Sequence, residues 1–191
     1  MTVGAHSDAP GECSRRRQHI AGDTNRDARQ PVTPTGETVR FAADSMLGRL
    51  AKALRMLGYD VTYDPFVEDQ ALIRQARTED RVLLTRDTGM LRRRDLPRHV
   101  FVQSDHVAEQ LAQVARELGL KLDAHAAFSR CIVCNSALED ASFESVRDRV
   151  PPYVYATQRE FARCPGCGRI YWRGTHVERM QRTIDALGVG S

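Results

Sequence analysis

Lysine is nearly missing from this 191-residue chain: of its 28 basic residues, only Lys52 and Lys121 are lysines. Two readings fit that skew: genomic composition, or a use for arginine, the better phosphate ligand where it clusters. Long apolar runs are missing as well. No stretch approaches the ~20 residues that span a bilayer as a helix, which excludes a helical membrane span. Arg15-Arg16-Arg17 is followed by no apolar segment, so no secretory signal is expected. Large apolar side chains are few in residues 1–37, where Gly, Pro, Asp, Arg, Ser and Thr dominate. Such a segment cannot bury enough surface to offset its ordering entropy, and a flexible tail is expected, with Cys13 an unpaired bystander. Cysteine is otherwise confined to two Cys-x-x-Cys pairs, which in an intracellular setting point to metal rather than disulfides. The net charge of +3 is too mild to imply a nucleic-acid partner by itself. The expectation is a soluble cytoplasmic protein.

From Thr38 onward, short apolar runs alternate with amphipathic segments. Residues 39–43 read as a strand and 45–57 as a helix, with Met46, Leu47, Leu50, Leu54 and Leu57 at helical spacing. Arg49, Lys52 and Arg55 share the other side, which is expected to face solvent. Gly58 stands where helices commonly end. Further strands are read at 61–63, 81–85 and 100–103, and further helices at about 69–77 and 105–118. Repeated strand–helix order predicts an α/β fold, an open parallel sheet flanked by helices. After Leu122 the text changes to cysteine pairs, Pro151-Pro152 and β-rich pieces at 152–155 and 169–172. A last helix is expected at about 176–187. The domain reading is a tail at 1–37, an α/β core at 38–124, and a small metal-stabilised module with a C-terminal helix at 125–191.

Aspartates recur at the ends of the predicted strands: Asp44 after the first, Asp87 after the Leu83–Thr85 run, Asp105 after Phe101-Val102. In a parallel sheet these ends share one edge, where ligands of open α/β folds gather. Carboxylates brought together repel, and a hard divalent cation bound through oxygen is the usual remedy. Mg²⁺ or Mn²⁺ held so can activate water against a phosphodiester. Two of these have a simpler reading as a helix cap, Asp44 or Ser45 for the first helix and Asp105 for the last of the core, whereas Asp87 follows an apolar strand that presents Thr-Arg-Asp together. Asp60 and Asp64 read as a strand start and a Pro-containing turn. The surroundings are basic: Arg81, Arg86, Arg92, Arg93, Arg94 and Arg98 lie around Asp87, and Arg49, Lys52 and Arg55 follow Asp44. That suits a polyanion, and equally a solvated basic face.

Cys131-Ile132-Val133-Cys134 and Cys164-Pro165-Gly166-Cys167 each present two thiolates from a tight turn, and together they complete a tetrahedral Zn²⁺ site. Four thiolates leave no open coordination position, so the metal is expected to be structural. Trp172 has two readings, stacking on a base or packing a small core. His176 likewise either touches phosphate or serves the start of a helix.

FAADSMLGRLAKALRMLGYDVTY, RVLLTRD, CIVCN and FARCPGCGRIYWRGTH follow one another in this order. Over about 39–185 the chain thereby resembles the PIN-like RNase domain named after the C-terminal part of the Mutator-seven exonuclease. The resemblance implies a PIN-like nuclease core carrying a zinc ribbon, and metal-dependent hydrolysis of RNA. It maps Asp44 and Asp87 onto catalytic acids, with Asp105 as a third. Asp69, with Glu68 beside it, is the nearest candidate for an acid in the helix after the second strand. Relatives often carry a ubiquitin-like domain ahead of the nuclease; residues 1–37 are too short and polar for one. The expected activity is therefore a ribonuclease in which Asp44, Asp87 and Asp105 hold Mg²⁺ or Mn²⁺. Arg49, Lys52, Arg86, Arg92–Arg94, Trp172 and His176 would contact RNA, single-stranded or structured non-coding. Cys131, Cys134, Cys164 and Cys167 would hold zinc, in a ribbon that buttresses or extends the RNA groove. The alternative is a non-catalytic RNA- or ribosome-binding zinc-ribbon protein.

Overall fold

The structure, a computed structural model, describes residues 39–120 and 126–172. The expected tail, the expected helix at 176–187, His176 and the 124/125 boundary lie outside the described residues. Four short strands, β1 (Arg40–Ala43), β2 (Asp60–Tyr63), β3 (Val82–Thr85) and β4 (His99–Phe101), form a wholly parallel sheet in the order β2-β1-β3-β4. Between and after them run α1 (Gly48–Met56), α2 (Asp69–Thr78) and α3 (Val107–Leu118). The predicted open parallel sheet with helices on both faces is the architecture found.

Strand alternation explains which helix covers which face. Phe41, Ala43, Val61, Val82, Leu84 and Val100 point one way and pack with Leu50, Leu54 and Leu57 of α1 and Leu111 and Val114 of α3. Ala42 and Leu83 point the other way, onto Leu72, Ile73 and Ala76 of α2 and onto Met90. Both faces are covered, so β1 and β3 carry apolar residues without a polar stripe, as buried parallel strands do.

Both outer edges of the sheet are closed by side chains. On β4, the Gln113 carboxamide donates to Phe101 O at 2.8 Å and accepts from Gln103 N at 3.0 Å, taking the place of another strand. On β2, Val61 N donates to Asn135 Oδ1 at 3.1 Å and Val61 O accepts from Arg55 Nε at 2.9 Å. Arg55 is therefore not solvent-directed, as helical spacing suggested: it is 4% exposed. Its Nη1 continues to Ile132 O and Val133 O, the carbonyls inside the first cysteine knuckle, at 3.2 and 2.9 Å. Spacing on α1 identified the side facing away from the sheet, but the knuckle covers that side.

Arg81 is another correction to the expected basic face. It is 8% exposed and donates to Asp60 Oδ1 and Glu79 Oε2, each at 2.6 Å. Asp60, at the start of β2, also accepts from Asn135 Nδ2 at 2.8 Å and faces Arg130 at 3.6 Å. Burial alone would raise its pKa, but the Arg81 bond and the charges of Arg81 and Arg130 hold it below the ordinary aspartate value.

The second sheet is antiparallel, in the order β5 (Glu139–Ala141), β6 (Phe161–Arg163), β7 (Ile170–Trp172). Residues 152–155, expected to be β-rich, instead open the helix α4 (Pro152–Thr157). Pro152 suits a first helical turn, whose N–H groups have no intrahelical partner. Val146, Val150 and Val154 recur every fourth residue and bury together with Phe161 and Ile170. Of these only Val154 lies in α4, so its burial, together with Pro152 at the helix start, outweighs the strand propensity of Tyr153-Val154-Tyr155.

Candidate active site and metal centre

Chain order along the sheet reverses between β1 and β3: β2 lies on one side of β1, and the chain then crosses back to β3 on the other. Crevices outside the carboxyl ends of strands at such a reversal are where open α/β sheets bind ligands. Asp44 immediately follows β1, and Asp87 lies two residues beyond the end of β3.

Asp44 is 4% exposed and its carboxylate is heavily used. Oδ1 accepts from Met46 N at 2.6 Å, capping the 3₁₀ turn Ser45–Leu47. Oδ2 accepts from Thr85 Oγ1 at 2.7 Å and from Arg86 N at 3.1 Å. Asp44, not Ser45, is the cap. Asp87 is half-buried; its N–H donates to Thr85 Oγ1 at 3.0 Å and its Oδ1 accepts from Gly89 N at 2.7 Å. Thr85 thus ties the two aspartates together through one hydroxyl. Asp105 is 81% exposed and pairs with Arg86 Nη1. It does not cap α3: Ser104 Oγ accepts the His106 N–H at 3.0 Å instead. Asp69 is exposed in the first turn of α2. The structure does not bring Asp44, Asp87 and Asp105 together as a cluster. Among the described residues, the four cysteines are the one group of three or more His, Cys, Asp or Glu whose ligand atoms gather within metal-binding reach.

Beside Asp44 a groove of about 360 Å³ opens between the first turns of α1 and α3, and Arg49, Lys52, Arg86, Asp105, Met46 and Tyr63 are among its walls. Arg86 joins groove and aspartates: its backbone N–H binds Asp44 while its guanidinium lines the groove. Arg92 and Arg94 are exposed on the loop that follows Asp87, and Arg93 pairs with Asp95 at 3.2 Å. Trp172 packs against the small core of the second sheet.

Sequence reasoning missed Tyr63 and Gly48. The Tyr63 hydroxyl donates to Ser45 O at 3.1 Å, and its ring occupies the space that a side chain at position 48 would need. A Cβ there would come within 2.5 Å of the Tyr63 oxygen. The legible signal was a glycine early in an otherwise strong helix, where it costs stability unless something approaches closely.

The cysteine centre is built from two matching knuckles. Cys131 Sγ lies 3.6 Å from Cys167 Sγ, and Cys134 Sγ lies 3.3 Å from Cys164 Sγ. A tetrahedral tetrathiolate zinc with bonds of ~2.3 Å places its sulfurs ~3.8 Å apart, so the set fits the metal. Backbone N–H groups of Cys134 and Cys167 point at Cys131 and Cys164 Sγ at 3.5 and 3.4 Å. The residue after each knuckle is left-handed, Asn135 at φ 68° and Gly168 at φ 74°. Asn tolerates that conformation better than most side chains, and Asn135 uses the turn to reach β2. Tyr171 Oη stands 3.1 Å from Cys131 Sγ. Burial, then the thiol neighbours, push its pKa up.

Fold and centre together define a class, an open parallel α/β domain with a four-cysteine ribbon fastened to it. A scan against protein families matches the Mut7-C RNAse domain over residues 39–184, and the chain belongs to that family. Neither a curated protein nor a solved structure gave a significant match.

Proposed function

We propose that this protein is a metal-dependent ribonuclease acting from the β1/β3 edge, with a structural zinc ribbon. The observation that carries the reading is the placement of Asp44 and Asp87 at the reversal point of the sheet, with a cationic groove beside them. Mg²⁺ typically takes only one or two carboxylates and completes its shell with water and substrate phosphate. Asp44 and Asp87, from neighbouring strands, suit such an ion, with Asp105 available once Arg86 turns to a phosphate. The ion would supply an activated water and stabilise charge on the phosphodiester. The chain's own part is to hold RNA: Arg49, Lys52 and Arg86 engage the backbone.

The partners of Asp44 decide which variant tests it. All three are hydrogen-bond donors, so an Asn amide nitrogen would face a donor, and Asp44→Asn disturbs the turn as well as any chemistry. Asp87→Asn can keep its Gly89 bond through the remaining oxygen. With a defined RNA set in Mn²⁺, in Mg²⁺ and without divalent ions, wild type is expected to cut only with metal. Asp87→Asn is expected to lose about 100-fold or more while still binding RNA. Full activity of Asp87→Asn in Mn²⁺ would sink the assignment. The second reading, RNA binding without cleavage, draws on the saturated Asp44 carboxylate; it predicts retention of RNA and no metal-dependent product.

A further inference from the structure

We infer that Tyr63 is the stacking wall of a nucleotide subsite, and that the groove between α1 and α3 takes an unpaired nucleotide of single-stranded RNA. The inference rests on the ribonuclease reading and names the form of its substrate.

Tyr63 is held as a platform. Its hydroxyl is tied to Ser45 O at 3.1 Å, and its ring lies over Gly48, whose absent side chain leaves room for it. Tyr63 packs on the edge of the main core but is only partly buried, and it borders both the 360 Å³ groove and a second cavity of about 570 Å³ on the α2 side. It therefore stands as a partition between two openings. Met46, on the turn that starts at Asp44, is 64% exposed and lines the same groove. A thioether beside an aromatic ring is a surface that adapts to flat apolar ligands. Arg49, Lys52 and Arg86 line this groove too. One wall thus offers apolar faces and the remainder offers three cationic side chains against the single Asp105 carboxylate, which Arg86 pairs; apolar face plus net positive charge is the pairing a single-stranded nucleotide requires.

The chemistry separates single strands from duplexes. Arginine and lysine attract the phosphates of either form. A base can lie on Tyr63 only if it has left its own stack, and every base has a face to offer. Stacking on an aromatic side chain is worth ~1–3 kcal/mol per base and tolerates any sequence. The subsite therefore selects strand form, not sequence.

The test is equilibrium binding by fluorescence anisotropy, without added divalent ion, of a labelled eight-nucleotide RNA and of the blunt duplex of the same sequence. Wild type is expected to prefer the single strand. Tyr63→Ala and Tyr63→Leu should weaken single-strand binding by roughly 5- to 150-fold and leave duplex binding unchanged. Tyr63→Leu keeps bulk over Gly48 and guards against misfolding of the alanine variant. Tyr63→Phe should stay close to wild type, because the ring face survives. Tyr153→Ala, an exposed aromatic of the ribbon, serves as the control and should change nothing. Single-strand binding unchanged in both Tyr63→Ala and Tyr63→Leu, or an equal loss on duplex, overturns the subsite and leaves the ribonuclease reading standing. Failure of wild type to bind either RNA overturns both.

Discussion

Replacing Arg55 by Met should damage the α/β core and the metal centre together. Arg55 is 4% exposed. Its guanidinium donates to three carbonyl oxygens, Val61 O at 2.9 Å, Ile132 O at 3.2 Å and Val133 O at 2.9 Å. Hydrogen bonds from a charged donor contribute ~1.5–3 kcal/mol each. Their simple total overshoots, because Met also removes the cost of keeping a cation out of water, and burial does lower the Arg55 pKa. A net loss of about 3–4 kcal/mol is the reasonable expectation. That is a large share of the ~5–15 kcal/mol that holds a typical domain together, and it should lower the melting temperature by about 10 °C. Ile132 and Val133 lie between Cys131 and Cys134, so the variant should also surrender zinc to a competing chelator sooner than wild type. Thermal unfolding by circular dichroism and colorimetric zinc release measure the two effects separately. Arg49→Met, on the exposed part of the same helix, should move the melting temperature little. An Arg55→Met protein within 1 kcal/mol of wild type by about the same measure, with unchanged zinc retention, would refute the clamp.

Two further expectations concern charge and thiols. Asp60 is depressed in the folded state by Arg81 and Arg130, so its contribution is full above the ordinary aspartate pKa and disappears as pH falls through the depressed value. Denaturant midpoints measured from pH 6 downward should therefore fall for wild type, and fall less steeply for Asp60→Asn. With zinc bound, a thiol reagent should titrate Cys13 alone, and all five cysteines once a chelator has removed the metal; five reactive thiols without chelator would argue against a closed centre.

Strand and helix order was legible because buried parallel strands and amphipathic helices write their spacing directly into the chain. The runs ending at Ala43 and Thr85 needed no tertiary information, and the cysteine spacing carried the metal centre. The solvent side of α1 was not legible. Arg55 looks like Arg49 on a helical wheel, and only the knuckle from residues 131–135 makes one buried and the other exposed. The carboxylates illustrate the same limit. The strand ends that precede Asp44, Asp87 and Asp105 share one sheet edge, but spacing could not show that Thr85 and Arg86 would stand between the aspartates, Thr85 linking Asp44 to Asp87 and Arg86 linking Asp44 to Asp105. The helix at Pro152–Thr157 had one local signal, a proline pair at its start, which the strand-forming types of Tyr153-Val154-Tyr155 concealed.

The closed edges of the first sheet have a consequence for solubility. Gln113 seals β4 from within the core's own helix α3, so that seal persists whenever the core is folded. Half of the seal on β2 comes from Asn135, whose left-handed turn directly follows the first cysteine knuckle, one half of the four-cysteine cluster that could hold a metal. An exposed strand edge is a template for pairing with another chain. Zinc held by the four cysteines would therefore guard this protein against self-association at β2, and stripping it should raise the tendency to associate along that one flank, measurable by light scattering with and without a chelator.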